Sequence, residues 1–330
     1  MRRAAIIASA LITAFALATT CPSDAAAQVP TFLDQWGSGG SGNAQFNQPV
    51  GIALDPGGNV YVSDLYNARI QRFSATGAYL GQWHLSSPNS GPAGIVFDTD
   101  GNLYVADAFI NQVEKFGPDG SFIVGWSTSG AFGGKFRIPW AVAFGGGHLY
   151  ESELDNLRIQ SLSPDGSYVT QWGGAGGGFT GPYGMAFGPD GNVYVSDLGS
   201  HTVQVFTSSG SFLRMWGGFG SGNGQFNQPY GLAFDASGRI FVTDRGNHRV
   251  EVFTLLGAYL GQWGSLGGGP GQFDAPTGIA IDAAGNVFVT DASQNRIQKF
   301  GSIPTATLQP TWGALKARYR GNREQAAAPR

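Results

Sequence analysis

Acid and base chemistry needs two titratable side chains near one reacting atom. The chain offers that spacing most densely at Glu151, Glu153 and Asp155. On a strand, residues two apart share a face and lie roughly 7 Å apart, so Glu151 and Glu153 could act as a pair. A second charged pattern sets an acid five residues before an arginine: Asp64 and Arg69, Glu153 and Arg158, Asp244 and Arg249, Asp291 and Arg296. Its recurrence points to scaffolding, since an acid and an Arg across a short turn satisfy each other. Asp107 and Asp197 face Gln112 and Thr202 instead and are more available. Nucleophilic chemistry has little material: there is no GxSxG elbow, the one cysteine is Cys21, and the imidazoles are His84, His148, His201 and His248. No HxxxH or other tight metal spacing occurs, so neither a metal nor a cofactor is expected.

The elements that carry these residues repeat. QPVGIALDPGGNVYVSDLYNARIQRF, QPYGLAFDASGRIFVTDRGNHRVEVF and APTGIAIDAAGNVFVTDASQNRIQKF are copies of one pattern, opened by Pro49, Pro92, Pro139, Pro182, Pro229 and Pro276. Within a unit the apolar period is 2, as in Val60-Tyr61-Val62-Ser63, and Asp-x-x-Gly turns separate the runs. A fourth run ends in Trp83, Trp126, Trp172, Trp216 or Trp263. Four antiparallel strands in about 45 residues make a propeller blade. The predicted fold is therefore all-β, a six-bladed β-propeller. The sixth unit lacks its own fourth strand, and Thr31 to Trp36 is an orphan strand of the same type, so the N-terminal strand is expected to close the last blade. The run GSGNxQFNQP before the first and fifth units has the glycines of a phosphate loop but no Lys-Ser/Thr after it, and it reads as a blade connector.

The pattern GIAxDxxGNVYVxDxxNxRIQxF resembles the NHL-repeat family over residues 31 to 300. That resemblance implies the propeller fold and narrows function little, because NHL propellers include protein-interaction modules, RNA-binding modules, sensor domains and a few lyases. It also implies a structural role for His201 and His248, four residues past the acid, where NHL repeats often carry His. Two departures from the repeat are more informative. Glu151 stands where the other units have Val62, Val105, Val195, Val242 and Val289. It must be paired, with Arg137 or Arg158 as candidates, or protonated, or open to the channel. The residue after each opening proline is aromatic in three consecutive units, Trp140, Tyr183 and Tyr230, at the mouth of the ring. These aromatics either hold a ligand or plug the channel. Tyr66 and Phe109 are candidates for the same rim.

Between Thr31 and Pro304, 12 Lys and Arg face 20 Asp and Glu, an acidic body that argues against nucleic acid as a partner. Residues 1 to 27 read as a signal peptide, with Arg2 and Arg3 before an apolar stretch and Ala25-Ala26-Ala27 as the cleavage site. That stretch is too short to span a bilayer. The mature chain is expected to be secreted or periplasmic and monomeric, with a lipoprotein anchored at Cys21 as the competing reading. Residues 28 to 303 form the propeller. Residues 304 to 330 form a basic tail, with a short helix bearing Trp312, Leu315 and Tyr319 on one face. The functional expectation is a binding or protein-interaction module whose mouth, built from Trp140, Tyr183, Tyr230, Glu151, Glu153 and Asp155, takes a glycan, a small polar molecule or a peptide. The alternatives are a lyase or lactonase using the third-unit carboxylates, and a scaffold with no small ligand.

Overall fold

A computed structural model describes residues 29–127, 129–174 and 178–303. The segment read as a signal peptide, Cys21 and the basic tail with Trp312, Leu315 and Tyr319 lie outside them. Six four-stranded antiparallel sheets form a ring. Blade 1 runs from the axis outward as Pro49–Leu54, Val60–Asp64, Arg69–Phe73 and Tyr79–His84. Blades 2 to 5 repeat that order from Pro92, Pro139, Pro182 and Pro229. In blade 6, Pro276–Ile281, Val287–Asp291 and Arg296–Phe300 are completed by Phe32–Trp36 from the other end of the chain. Trp36 lies opposite Ile297 and Gln35 opposite Gln298, and the Gly301 N–H donates to the Thr31 carbonyl at 2.8 Å. No helix among the described residues is long and apolar enough to cross a membrane.

The core lies between blades. Tyr61 and Ile70 of blade 1 pack on Leu103, Val105 and Phe116 of blade 2, and comparable clusters fill the other junctions. Adjacent inner strands approach too closely for side chains at one position: a Cβ at Gly94 would sit 2.8 Å from the Trp140 carbonyl oxygen. Hydroxyls bridge the same gap at four of the six junctions. Ser63 Oγ donates to the Ala93 carbonyl at 2.6 Å, Thr243 Oγ1 to that of Thr277 at 2.6 Å, and Ser196 Oγ to that of Tyr230. Thr290 Oγ1 of blade 6 donates to the Val50 carbonyl of blade 1 at 2.9 Å.

Strand 1 of every blade opens with its proline opposite the acid that ends strand 2. The loops between strands 2 and 3 and the connectors that enter each blade therefore share one face, here the upper mouth. Asn67 confirms this by donating from its loop to the Gly40 carbonyl in the connector.

Candidate functional site

The recurrent acid and arginine are structural. Arg69 uses all five donors: Nε to Asp64, Nη1 to Gln82 and the Ser41 carbonyl, Nη2 to the Gly42 and Gln45 carbonyls. Arg249 and Arg296 repeat the arrangement on Asp244 and Asp291, and Arg158 repeats it on Glu153. Blades 2 and 4 lack the arginine because their connectors are short. Nine residues run from Trp83 to Pro92 and ten from Trp172 to Pro182, against thirteen in the other four. With the missing residues go the carbonyls that would receive a guanidinium, and with them the glutamine before the tryptophan, replaced by Gly125 and Met215.

Asp197 is consequently not a free acid. It accepts from the Thr180 N–H and Oγ1, the Gly199 and Ser200 N–H groups and Gln204. Asp107 keeps one buried oxygen without a partner among the described residues, and burial raises its pKa. His201 and His248 hold connectors: their Nδ1 atoms accept the Gln228 and Ala275 N–H groups at 3.0 and 3.3 Å. Asn111 and Asn295 do the same for Ile138 and Gln48.

The six candidate site residues do not form one group. Glu151 is fully buried between blades 2 and 3, where Tyr104, Val113, Val142 and Leu149 form the apolar packing of that junction. Neither of its oxygens has a hydrogen-bond partner among the described residues. Arg158 is committed to Glu153, and the Gln160 amide opposite Glu151 donates to Glu153 and the Lys135 carbonyl. Arg137 likewise offers Glu153 its backbone N–H. Neither arginine considered from sequence bonds to Glu151. Burial, with the Glu153 carboxylate nearby, pushes its pKa well above the ordinary value and so favours the protonated form. Glu153 is buried and bonded to Arg158, Asn156, Gln160 and the Arg137 N–H, and Asp155 is exposed in the next loop. None of the three lines a cavity on the axis.

The aromatics do come together. The Trp140 and Tyr183 rings are 5.3 Å apart, Tyr183 and Tyr230 5.4 Å, and the Trp140 indole N–H donates to the Tyr230 hydroxyl at 2.6 Å. The trio separates two cavities. Below it lies the central channel of about 420 Å³, walled by the inner strands. Above it, in the upper mouth, lies a cup of about 270 Å³ with walls from five blades. Sequence reasoning missed the polar part of that cup: Gln48 and Gln228, each just before an opening proline, and Arg245, just after the blade 5 acid. Arg245 donates to Gln228 Oε1 at 3.1 Å. Burial raises the pKa of Tyr183 while the nearby Arg245 lowers it, and the buried Tyr230 hydroxyl stays protonated. Tyr66 and Phe109 pack on each other at 5.8 Å and stand exposed on the same face, outside the cup.

The NHL repeat pattern matches residues 46–73, 179–206, 226–253 and 273–300, that is, blades 1, 4, 5 and 6. This chain is an NHL-repeat β-propeller. The human NHL repeat-containing protein 3 is 45% identical over 56 residues, 16% of this chain and 16% of that protein. Three solved structures share the propeller fold at 18% identity. One is a protein of unknown function from Bacteroides thetaiotaomicron, with a TM-score of 0.67 over 81% of this chain and 76% of that one. The second is described as a putative gluconolactonase (0.61; 82% and 94%). The third is a catalytically inactive virginiamycin B lyase from Staphylococcus aureus with quinupristin (0.59; 80% and 82%). The blades that escape the repeat pattern are 2 and 3, which flank Glu151.

Proposed function

We propose that this NHL-repeat propeller is an extracytoplasmic binding module whose site is the cup at the upper mouth, and that its ligand is a small polar molecule or the terminal group of a glycan or peptide. The observation that carries this reading is the convergence of Trp140, Tyr183, Tyr230, Gln48, Gln228 and Arg245 on one concave space at the ring axis. Rigid aromatic walls with a few fixed polar groups are the usual make-up of a ligand site. The fold is shared with a lyase and with a putative gluconolactonase. Binding is favoured over that chemistry because the third-blade carboxylates lie away from the cup, Glu153 already holds Arg158, and no carboxylate lines the cup among the described residues. The N-terminal sequence supports export.

The test is a thermal-shift screen of the chain from Gln28 onward against sugars, lactones, peptides and organic acids, repeated with Trp140→Ala. A hit should raise the melting temperature of the parent chain and leave that of Trp140→Ala unmoved. A hit that stabilises both equally would place the site elsewhere.

A further inference from the structure

The lining of the cup is one-sided in its chemistry. Arg245 sits in a short 3-10 turn, Arg245–Asn247, that follows the second strand of blade 5, and has no carboxylate partner among the described residues. Its one side-chain bond is from Nη1 to Gln228 Oε1, which leaves Nε and Nη2 without a protein acceptor. The Tyr183 hydroxyl and the Gln48 amide, which line the same space, make no side-chain hydrogen bond to the described residues, and the Gln228 amide nitrogen donates to none of them. The other polar groups there are already used: the Tyr230 hydroxyl accepts from Trp140, and Thr277 Oγ1 donates to the Pro49 carbonyl. The arginines at the blade edges are neutralised by Asp64, Glu153, Asp244 and Asp291. In a body with 20 acidic and 12 basic residues, a guanidinium left uncompensated in an aromatic cavity is the exception.

From this surplus of donors over flat aromatic walls we infer that the cup selects an organic carboxylate with a planar or flat-faced body, the carboxylate on Arg245, Gln48 and Tyr183, and the flat face against Trp140 and Tyr183. The inference rests on the cup being the binding site and names the class of ligand it takes. An uncharged polyol is a poorer match, since its hydroxyl protons need acceptors and the described residues of the cup include no carboxylate. The fork of an arginine suits two carboxylate oxygens. The same chemistry is carried by an aromatic acid and by a uronic acid residue of a glycan.

The full-length chain should be titrated calorimetrically with 4-hydroxybenzoate, with its neutral isostere 4-hydroxybenzamide, and with galacturonate. At least one acid should bind, and 4-hydroxybenzoate should bind about tenfold tighter than its amide at low salt, the size of effect one charge-assisted contact gives. Arg245→Gln should weaken the acids by about the same factor, bring 4-hydroxybenzoate and its amide to within about twofold of each other, and leave the melting temperature unchanged, because that side chain bonds only to Gln228 among the described residues. A preference for galacturonate that is lost in Arg245→Gln supports the carboxylate assignment and identifies a sugar acid as its source. Equal binding of 4-hydroxybenzoate and its amide by the parent chain, or a tenfold gap between them that persists in Arg245→Gln, overturns the inference while the cup stands as a site. If neither acid binds at millimolar concentration, the inference falls, and the cup itself falls with it when Trp140→Ala also leaves every hit of the wider screen unaltered.

Discussion

The Glu251 carboxylate accepts a hydrogen bond from the Gly224 N–H and lies 3.4 Å from Arg249 Nη2, yet its second oxygen is buried without a partner. At the same place in blades 1, 3 and 6 stand Gln71, Gln160 and Gln298. Each accepts the matching N–H and donates to the carbonyl of Gln45, Lys135 or Gln272. An acid can copy that pattern only when protonated, and burial pushes the Glu251 pKa up to about 7. Since this folded value exceeds the ordinary one, the folded state holds a proton that the unfolded chain has lost between about pH 4.5 and pH 7, and stability falls as pH rises through that window. Glu251→Gln should therefore gain about 1–2 kcal/mol at pH 8 and little at pH 5, measured by urea unfolding at both. An equal gain at the two pH values would refute the protonated acid. Glu151 carries the same sign further, because neither oxygen is bonded. Glu151→Val, which restores the residue of the other five blades, should stabilise by about 1–3 kcal/mol and more so at high pH; a loss in the same urea assay would show that a partner had been stranded. The anomaly at Glu151 was legible from five valines. Its isolation was not, because that depends on Glu153 engaging both the Arg158 guanidinium and the Gln160 amide.

Each blade comes in one of two kits. A long connector brings the arginine after the acid, the glutamine before the tryptophan, and an Asn or His acceptor in the preceding blade, as at Asn295, Asn111, His201 and His248. A short connector lacks all three, and Ala68 and Leu157 fill the place of the acceptor. These correlations are present in the unaligned repeats, in the spacing of Trp to Pro, but their meaning appears only when the carbonyls around Arg69 are seen. Putting the arginine into a blade with the short kit should fail: Gln112→Arg is expected to cost about 2 kcal/mol or more, read from the melting temperature, because Nη1 and Nη2 would be desolvated without the Ser41-type carbonyls. The N-terminal strand belongs to the long kit as well, since Gln35 gives Arg296 Nη1 the acceptor that Gln82 gives Arg69. Removing residues 28 to 36 should strip that acceptor, expose the edge at Arg296–Phe300, and lower stability by several kcal/mol or cause aggregation, seen as light scattering on heating. A truncated chain that melted like the intact one would disprove the shared-blade closure.

The ring as a whole was the most legible level, because six copies of one period-2 pattern and an orphan strand admit few other arrangements. The mouth was half legible. Three aromatics after the prolines announced it, but Arg245, Gln48 and Gln228 sit at positions that look like ordinary loop residues until the axis brings five blades together. Placing a pair of carboxylates beside those aromatics followed from their sharing a blade, and a blade has two flanks and an inner edge: Trp140 sits at the edge and Glu151 on a flank. The closing blade also has a consequence in time. Phe32–Trp36 is made before the rest of the ring, and its partner, Arg296–Phe300, begins about 260 residues later. At a synthesis rate of about 5–20 residues per second, that strand waits roughly 13 to 50 s before it can pair. For all of that interval the nascent ring carries an unpaired strand, so the pairing that completes blade 6, rather than the folding of any earlier blade, is the step that makes it resistant to misassociation.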